Sequence, residues 1–172
     1  VPVPDGATSA LLRLRYWAID SWDGGETASV TMDGSVLWAL DRASYGQCDG
    51  SNGDFMHYEG DADIPDPWDG ENNHHCYFDV LQILDVSGMS SFELGLHAEI
   101  DSAASDESWG FNHLSITFND GTAAGMGRVV ESSDLSWSNT DTYDAGGSEG
   151  IVNGFWGGEV STVTSTVPVP DG

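Results

Sequence analysis

The chain has 172 residues, 39% of them hydrophobic, and it is therefore long and apolar enough to bury a core. Its charge is extreme, because 29 Asp and Glu against four Lys and Arg leave a net charge of −25. Such a surface repels nucleic acid and anionic membranes, and excludes both as partners. We expect divalent cations to offset the repulsion between carboxylates, with a halophilic chain as the alternative.

The first six residues, Val1 to Gly6, return letter for letter as Val167 to Gly172, so that the two copies start 166 residues apart. Self-similarity at a fixed period is typical of an array. We expect one period of a covalent tandem repeat, or a subunit of a fibre with identical junctions; the alternative is that one copy is a cloning artefact. The absence of a signal peptide, membrane-spanning stretch or lipidation motif fits an internal repeat. The expected organisation is a connector at 1–9, a domain at 10–159 and an extended strand or connector at 160–172.

The elements that follow predict an all-β chain, because apolar runs are short and alternating and helical periodicity is missing. Leu11 to Ile19 reads as a strand with Arg13 and Arg15 on one face, and Asp33-Gly34 between apolar runs predicts a hairpin. Further strands are predicted at 77–86, 92–100, 110–118, 128–131 and 150–156, with an irregular acidic loop over 41–75. This pattern favours an antiparallel β-sandwich of jelly-roll type with long acidic loops.

Two acidic segments at strand ends suggest a metal site. One runs from Asp20 to Glu26 after the first strand, and the other from Asp101 to Asn112 before a later strand. Crowded oxygen ligands on a loop are what Ca²⁺ requires. If the loops converge, the predicted ligands are Asp20, Asp23, Glu26, Asp106 and Glu107, and the alternative is two solvated acidic turns.

The same residues carry a resemblance. The pattern is Asp-Ser-Trp-Asp-x-x-Glu-Thr, then Val-x-x-Asp-Gly-x-x-x-Trp, then Ala-x-x-Asp-Glu-Ser-Trp-Gly-Phe-Asn. The matching stretches are residues 20–38 and 103–116, and the similarity as a whole covers residues 11–118. The pattern resembles a module of large surface proteins of ciliates and algae, of the mastigoneme-like fibre type. The resemblance implies an extracellular jelly-roll sandwich, related in shape to carbohydrate-binding modules. The family pattern has one residue fewer between the second Asp and the Glu, so this sequence departs from it at Gly24-Gly25.

The two cysteines, Cys48 and Cys76, are an even count that favours a disulfide in a secreted protein. A Cys/His metal site is the rival interpretation, because His74 and His75 precede Cys76. Paired zinc ligands are normally two to four residues apart, however, and Cys48 has no such neighbour. We therefore predict the disulfide.

The C-terminal tract is rich in Ser, Thr and Val and ends in alternating Val-Pro, which predicts an extended spacer. It is either a final edge strand with a linker or a strand that pairs with the next subunit. A Ser/Thr tract beside prolines also suits O-linked sugar, and Pro168 and Pro170 suit hydroxyproline-linked sugar. The candidate positions are Ser161, Thr162, Thr164, Ser165, Thr166, Pro168 and Pro170.

Among the tryptophans, Trp17, Trp38 and Trp109 are predicted in the core, whereas Trp68 and Trp156 lie in loops that favour glycan or subunit contacts. We find no nucleophile elbow, zinc-protease helix or phosphate loop, and we expect no enzyme. The sequence therefore predicts a secreted, Ca²⁺-stabilised structural repeat of an extracellular filament or surface appendage, with identical neighbours and attached or bound glycans as partners. A Ca²⁺-dependent carbohydrate-binding module is the alternative.

Overall fold

The computed structural model describes residues 1–20, 22, 26–41, 54–57, 75–100, 107–119, 128–131, 135, 137–138 and 160–165. Within them the chain forms ten strands and no helix. The strands are β1 (Ser9–Asp20), β2 (Thr27–Met32), β3 (Ser35–Asp41), β4 (Asp54–His57), β5 (His75–Asp85), β6 (Leu94–Glu99), β7 (Glu107–Phe118), β8 (Val129–Glu131), β9 (Trp137–Ser138) and β10 (Val160–Ser165). The described residues therefore include no helix of a length and hydrophobicity that crosses a membrane.

The strands form two five-stranded sheets. The first sheet has the order β4-β5-β1-β7-β8, and the second has the order β3-β2-β6-β10-β9. Every pairing between neighbouring strands is antiparallel. The predicted all-β, antiparallel β-sandwich is confirmed.

Strand β1 shows how the sequence builds the sandwich. Its alternation places Leu12, Leu14 and Tyr16 in the core, at 3% exposure or less, and leaves Arg13 exposed on the other face. The strand lies between β5 and β7 and pairs with both over most of its length. The two faces predicted for the first strand are confirmed.

The core lies between the two sheets and is rich in aromatic rings. Tyr16 stacks on Trp109 of its own sheet at 5.4 Å between ring centroids, and Trp38 of the second sheet also lies 5.4 Å from Tyr16. The Tyr16 hydroxyl donates a hydrogen bond to the backbone oxygen of His97 in β6, at 3.1 Å. Burial raises the pKa of Tyr16 well above its usual value, so that this buried phenol stays neutral.

The hairpin predicted at Asp33-Gly34 joins β2 and β3. Asp33 has a φ of 49° and Gly34 a φ of 77°. Two successive positive φ angles are those of a type I′ turn, whose twist matches that of the flanking strands. The prediction is confirmed, and the turn fixes the register that starts with Met32 opposite Ser35.

Other predictions are corrected or lie outside the described residues. Strand β4 lies inside the segment 41–75, for which we expected irregular structure, and β9 was not predicted. The strand predicted at 150–156 lies outside the described residues. Strand β10 confirms that the C-terminal tract contains a strand, but β10 lies between β6 and β9 and not at the edge of the described sheet.

Candidate functional site

One end of the sandwich collects carboxylates, and we call it the acidic end. Strands β1, β3 and β6 finish there, β2 and β7 begin there, and the predicted metal loops connect β1 to β2 and β6 to β7. The acidic residues at these strand ends are Asp20, Glu26, Asp41, Glu99 and Glu107. The sequence pattern that places acids beside strand ends therefore puts them at one end of the molecule.

Two predicted ligands come together directly. Asp20 is the register partner of Glu107 across the β1–β7 pairing. Directly opposite residues of antiparallel strands have Cα atoms about 4.5–5.5 Å apart, and like charges in such a pair destabilise the sheet. A cation bound at this position would offset that repulsion.

Glu26 is buried, with 1% of its surface exposed, whereas Glu99 at the same end is exposed. Trp22, from the same segment, is also buried and meets the Tyr16 ring edge-on at 6.4 Å. A buried carboxylate is costly unless other groups compensate its charge, and Glu26 does have interaction partners. The segment between β1 and β2 is thus anchored against the core at both described residues.

The second sheet adds two more acids at the same end. Thr27, the first residue of β2, lies opposite Asp41 on one side and Glu99 on the other. Its hydroxyl donates a hydrogen bond to Oε2 of Glu99 at 3.4 Å. Neither Asp41 nor Glu99 was among the predicted ligands. Their positions at the ends of predicted strands could have indicated from the sequence that they lie at this end.

The predicted metal centre itself stays a prediction. Asp23 and Asp106 lie outside the described residues, and the side chains of Asp20 and Glu107 are not described. Among the described side chains, no group of three or more His, Cys, Asp or Glu is placed to hold a metal ion. The structure brings Asp20 and Glu107 together and puts Glu26 at the same end.

The other predicted sites are only partly covered. Cys76 lies in β5, opposite Ala18, whereas Cys48 lies outside the described residues, as do Trp68 and Trp156. Of the glycosylation candidates, Ser161, Thr162, Thr164 and Ser165 belong to β10, and Thr166, Pro168 and Pro170 lie outside the described residues. The disulfide and the sugar attachments stay predictions.

The opposite end holds a site that sequence reasoning missed, and we call it the hexapeptide end. The first residues pair with the stretch that precedes β6: the Val1 nitrogen donates to the Phe92 oxygen at 2.6 Å, and Phe92 N–H donates to the Val1 oxygen at 2.9 Å. Pro2 lies opposite Ser91, and Val3 N–H donates to the Ser90 oxygen at 2.9 Å. Val1 and Val3 are 2% and 9% exposed and belong to the core.

The alternation of Val and Pro suits this pairing. Proline has no N–H, and Pro2 falls at the position between two hydrogen-bonded pairs, where no N–H is needed. Pro4 accepts a hydrogen bond from Ala7 N–H at 3.1 Å, and Gly6 has a φ of 80°, as the third residue of a type II turn requires. The period of two in the hexapeptide was therefore a strand signal.

Carboxylates also lie near this pairing. Asp33 exchanges two hydrogen bonds with the Glu93 backbone, since its N–H donates to the Glu93 oxygen and its Oδ1 accepts from Glu93 N–H. The β2–β3 turn thus clamps the residue that follows Phe92.

A third feature lies on the outer face of the first sheet, away from both ends. Arg15 makes a two-pronged ion pair with Asp79, at 2.8 and 3.2 Å, and its guanidinium stacks 3.9 Å from the centre of the Tyr77 ring. Arg15 and Asp79, together with Arg13 and His113, line an open depression of about 360 Å³. The contacts hold the Arg15 guanidinium against the sheet, and a surface pair of this kind contributes about 0.2–1 kcal/mol.

Comparison with protein-family models, with curated proteins and with solved structures finds no match for this chain.

Proposed function

We propose that this chain is a structural unit of an extracellular filament or surface appendage in which identical units follow one another. The observation that carries the proposal is the repeated hexapeptide, whose N-terminal copy is built into the domain by backbone pairing and burial. The resemblance to modules of mastigoneme-like fibre proteins points to the same class. We propose no catalytic role.

The burial of Val1 and Val3 supports this proposal because it gives the hexapeptide a structural partner. A free spacer would need only length and stiffness, and many sequences supply both. A segment that fills a core position and pairs in register is constrained residue by residue. The chain carries two copies of this segment, and the described residues include one position that fits it, opposite Ser90–Phe92. This supports contact between neighbouring units.

Ca²⁺ is the second part of the proposal. The net charge of −25 and the pairing of Asp20 with Glu107 supply the need for a cation at the acidic end. The proposed ligands are Asp20, Asp23, Glu26, Asp106 and Glu107, whose carboxylates are the hard oxygen donors that Ca²⁺ prefers. The Cys48–Cys76 disulfide and sugars on the C-terminal tract complete the proposed extracellular unit.

Electron microscopy of the native material, with and without EDTA, tests both parts. We expect a regular fibre with one globule per repeat that loosens in EDTA and recovers when Ca²⁺, but not Na⁺, is restored. Fibres indifferent to EDTA would remove Ca²⁺ and leave the filament. Monomeric particles indifferent to chelator would overturn both, and chelator-sensitive binding to a glycan array would then favour a carbohydrate-binding module.

A further inference from the structure

One strand position beside residues 90–99 is filled by two pieces from opposite ends of the chain. Strand β10 occupies the part next to β6, from Val160 opposite Glu99 to Ser165 opposite Leu94. Val1, Pro2 and Val3 occupy the part opposite Phe92, Ser91 and Ser90. The other edge of β6 is taken by β2, so this position has room for one strand.

The two pieces are in register with each other. Extending the β10–β6 pairing by two residues puts position 167 opposite Phe92 and position 168 opposite Ser91. These are the partners of Val1 and Pro2, and positions 167–172 have the same sequence as residues 1–6. A single continuous strand could therefore pair with residues 99 to 90 without a gap. Its first six residues would be 160–165, one further residue would lie opposite Glu93, and Val-Pro-Val would follow.

The turn after the hexapeptide shows that a bound hexapeptide belongs to the same unit as the β1 that follows it. The hydrogen bond from Ala7 N–H to the Pro4 oxygen closes a tight turn, and β1 begins at Ser9. Val86 N–H donates to the Thr8 oxygen at 3.1 Å, which holds this entry to β1 in the same domain. A hexapeptide bound at Ser90–Phe92 is therefore followed directly by the β1 of the same unit.

We propose that neighbouring units exchange a strand: residues 160–166 of the preceding copy continue into Val1 and occupy the β10 position of the copy that follows. The inference rests on the proposed function, in which one copy follows another. The residue before Val1 lies opposite Glu93, and the residues before that one, continued in register, must enter the place of the unit's own β10. The preceding copy carries the segment that fits there. Exchange of an identical element keeps the contacts of the single unit, which makes it a low-cost route to assembly.

The test uses two copies joined through one shared hexapeptide, with a cysteine pair at the register partners Thr162 and His97. One design carries Thr162→Cys in the first copy and His97→Cys in the second, and the other carries both in the first copy. Opposite Cα atoms in an antiparallel pair lie within the range that a disulfide spans. We expect the first design to cross-link and the second to keep its engineered thiols free, as read by mass spectrometry of the linked peptides.

Two controls make each outcome decisive. The single chain with Thr162→Cys and His97→Cys must cross-link, which shows that the pair is compatible with the fold. A pair of Thr162→Cys with Glu131→Cys, on the other sheet, must not. Cross-linking only within the first copy, or in neither design, would overturn strand exchange, and the filament proposal would then depend on electron microscopy alone. Cross-linking between copies, combined with native material that shows no fibres, would support strand exchange and overturn the filament proposal.

Discussion

The two ends of the sandwich are closed in different ways. At the hexapeptide end, Val1 and Val3 are buried, and backbone hydrogen bonds join them to Ser90 and Phe92. At the acidic end, Asp20 faces Glu107 across paired strands, and Thr27 lies between Asp41 and Glu99. The first end is closed by apolar burial and strand pairing, whereas the second gathers like charges.

This difference separates two sources of stability. Apolar burial and backbone pairing depend little on salt, whereas repulsion between carboxylates depends on the cations present. The stability that the hexapeptide end contributes should therefore depend little on divalent ions, whereas the acidic end should make stability responsive to them. The effects of substitutions at the two ends can be compared directly, because both ends belong to the same sandwich.

The largest effect is expected at the centre of the hexapeptide end. Phe92 is 4% exposed, lies 6.5 Å from the Phe118 ring and pairs with Val1 through its backbone. We expect Phe92→Ala to lower the free energy of unfolding by about 3–5 kcal/mol in urea denaturation, because it leaves a cavity in the core.

Ile83→Ala is the control for that change. Ile83 is 80% exposed on the first sheet, and its truncation should change stability by less than about 0.5 kcal/mol. Equal losses in the two variants would show that the hexapeptide end does not anchor the fold.

The next effect concerns Ca²⁺ at the acidic end. A ligand at a hundred times its Kd stabilises the folded state by about 2.7 kcal/mol, so Ca²⁺ should raise the free energy of unfolding by that order. Glu107→Gln should lose most of this gain and should stabilise the Ca²⁺-free protein slightly, because it removes a like charge opposite Asp20. Thermal unfolding in a Ca²⁺ titration measures both.

Asp85→Asn provides the matched control, since Asp85 lies at the far end of β5 and is exposed. It removes the same charge as Glu107→Gln but should keep the full response to Ca²⁺. If both variants keep the response, or lose it to the same extent, Ca²⁺ acts by general screening and not at the acidic end.

The smallest effect is expected at the β2–β3 turn. Asp33 tolerates its positive φ and accepts the Glu93 N–H at 2.8 Å through Oδ1. Asp33→Ala should cost about 1–2 kcal/mol in urea denaturation, because it removes one hydrogen bond and puts alanine in the left-handed region.

Asp33→Asn keeps the side-chain acceptor and the tolerance of a positive φ, and it should be close to neutral. A loss in Asn as large as the loss in Ala would assign the effect to the carboxylate charge and not to the turn.

Local signals predicted the regular part of the fold. Alternation along β1 and the Asp33-Gly34 turn depend on neighbours in sequence, and both appear as expected. Short strands such as β4 and β9 carry too few residues for a period to show, and their pairing partners set them. The Glu26 burial was also unpredicted, because a carboxylate beside two glycines reads as a solvated turn.

The hexapeptide shows a different limit of sequence reasoning. Its alternating Val-Pro sequence predicted an extended spacer, because prolines at this spacing favour a polyproline-II-like conformation. The pairing with Ser90–Phe92 places Pro2 where no donor is needed, a fact that depends on register and not on composition. The sequence could say only that Asp20 and Glu107 would share a site if their two loops converged. The β1–β7 register shows that these two residues lie opposite each other.

The antiparallel register of β10 and β6 also bears on how a fibre of such units would carry tension. Six register pairs, from Val160 opposite Glu99 to Ser165 opposite Leu94, run along one strand axis. A pull along that axis loads the hydrogen bonds in shear, so that they resist together, whereas a pull at right angles would open them one after another. A fibre joined through this strand would therefore resist stretching far better than peeling.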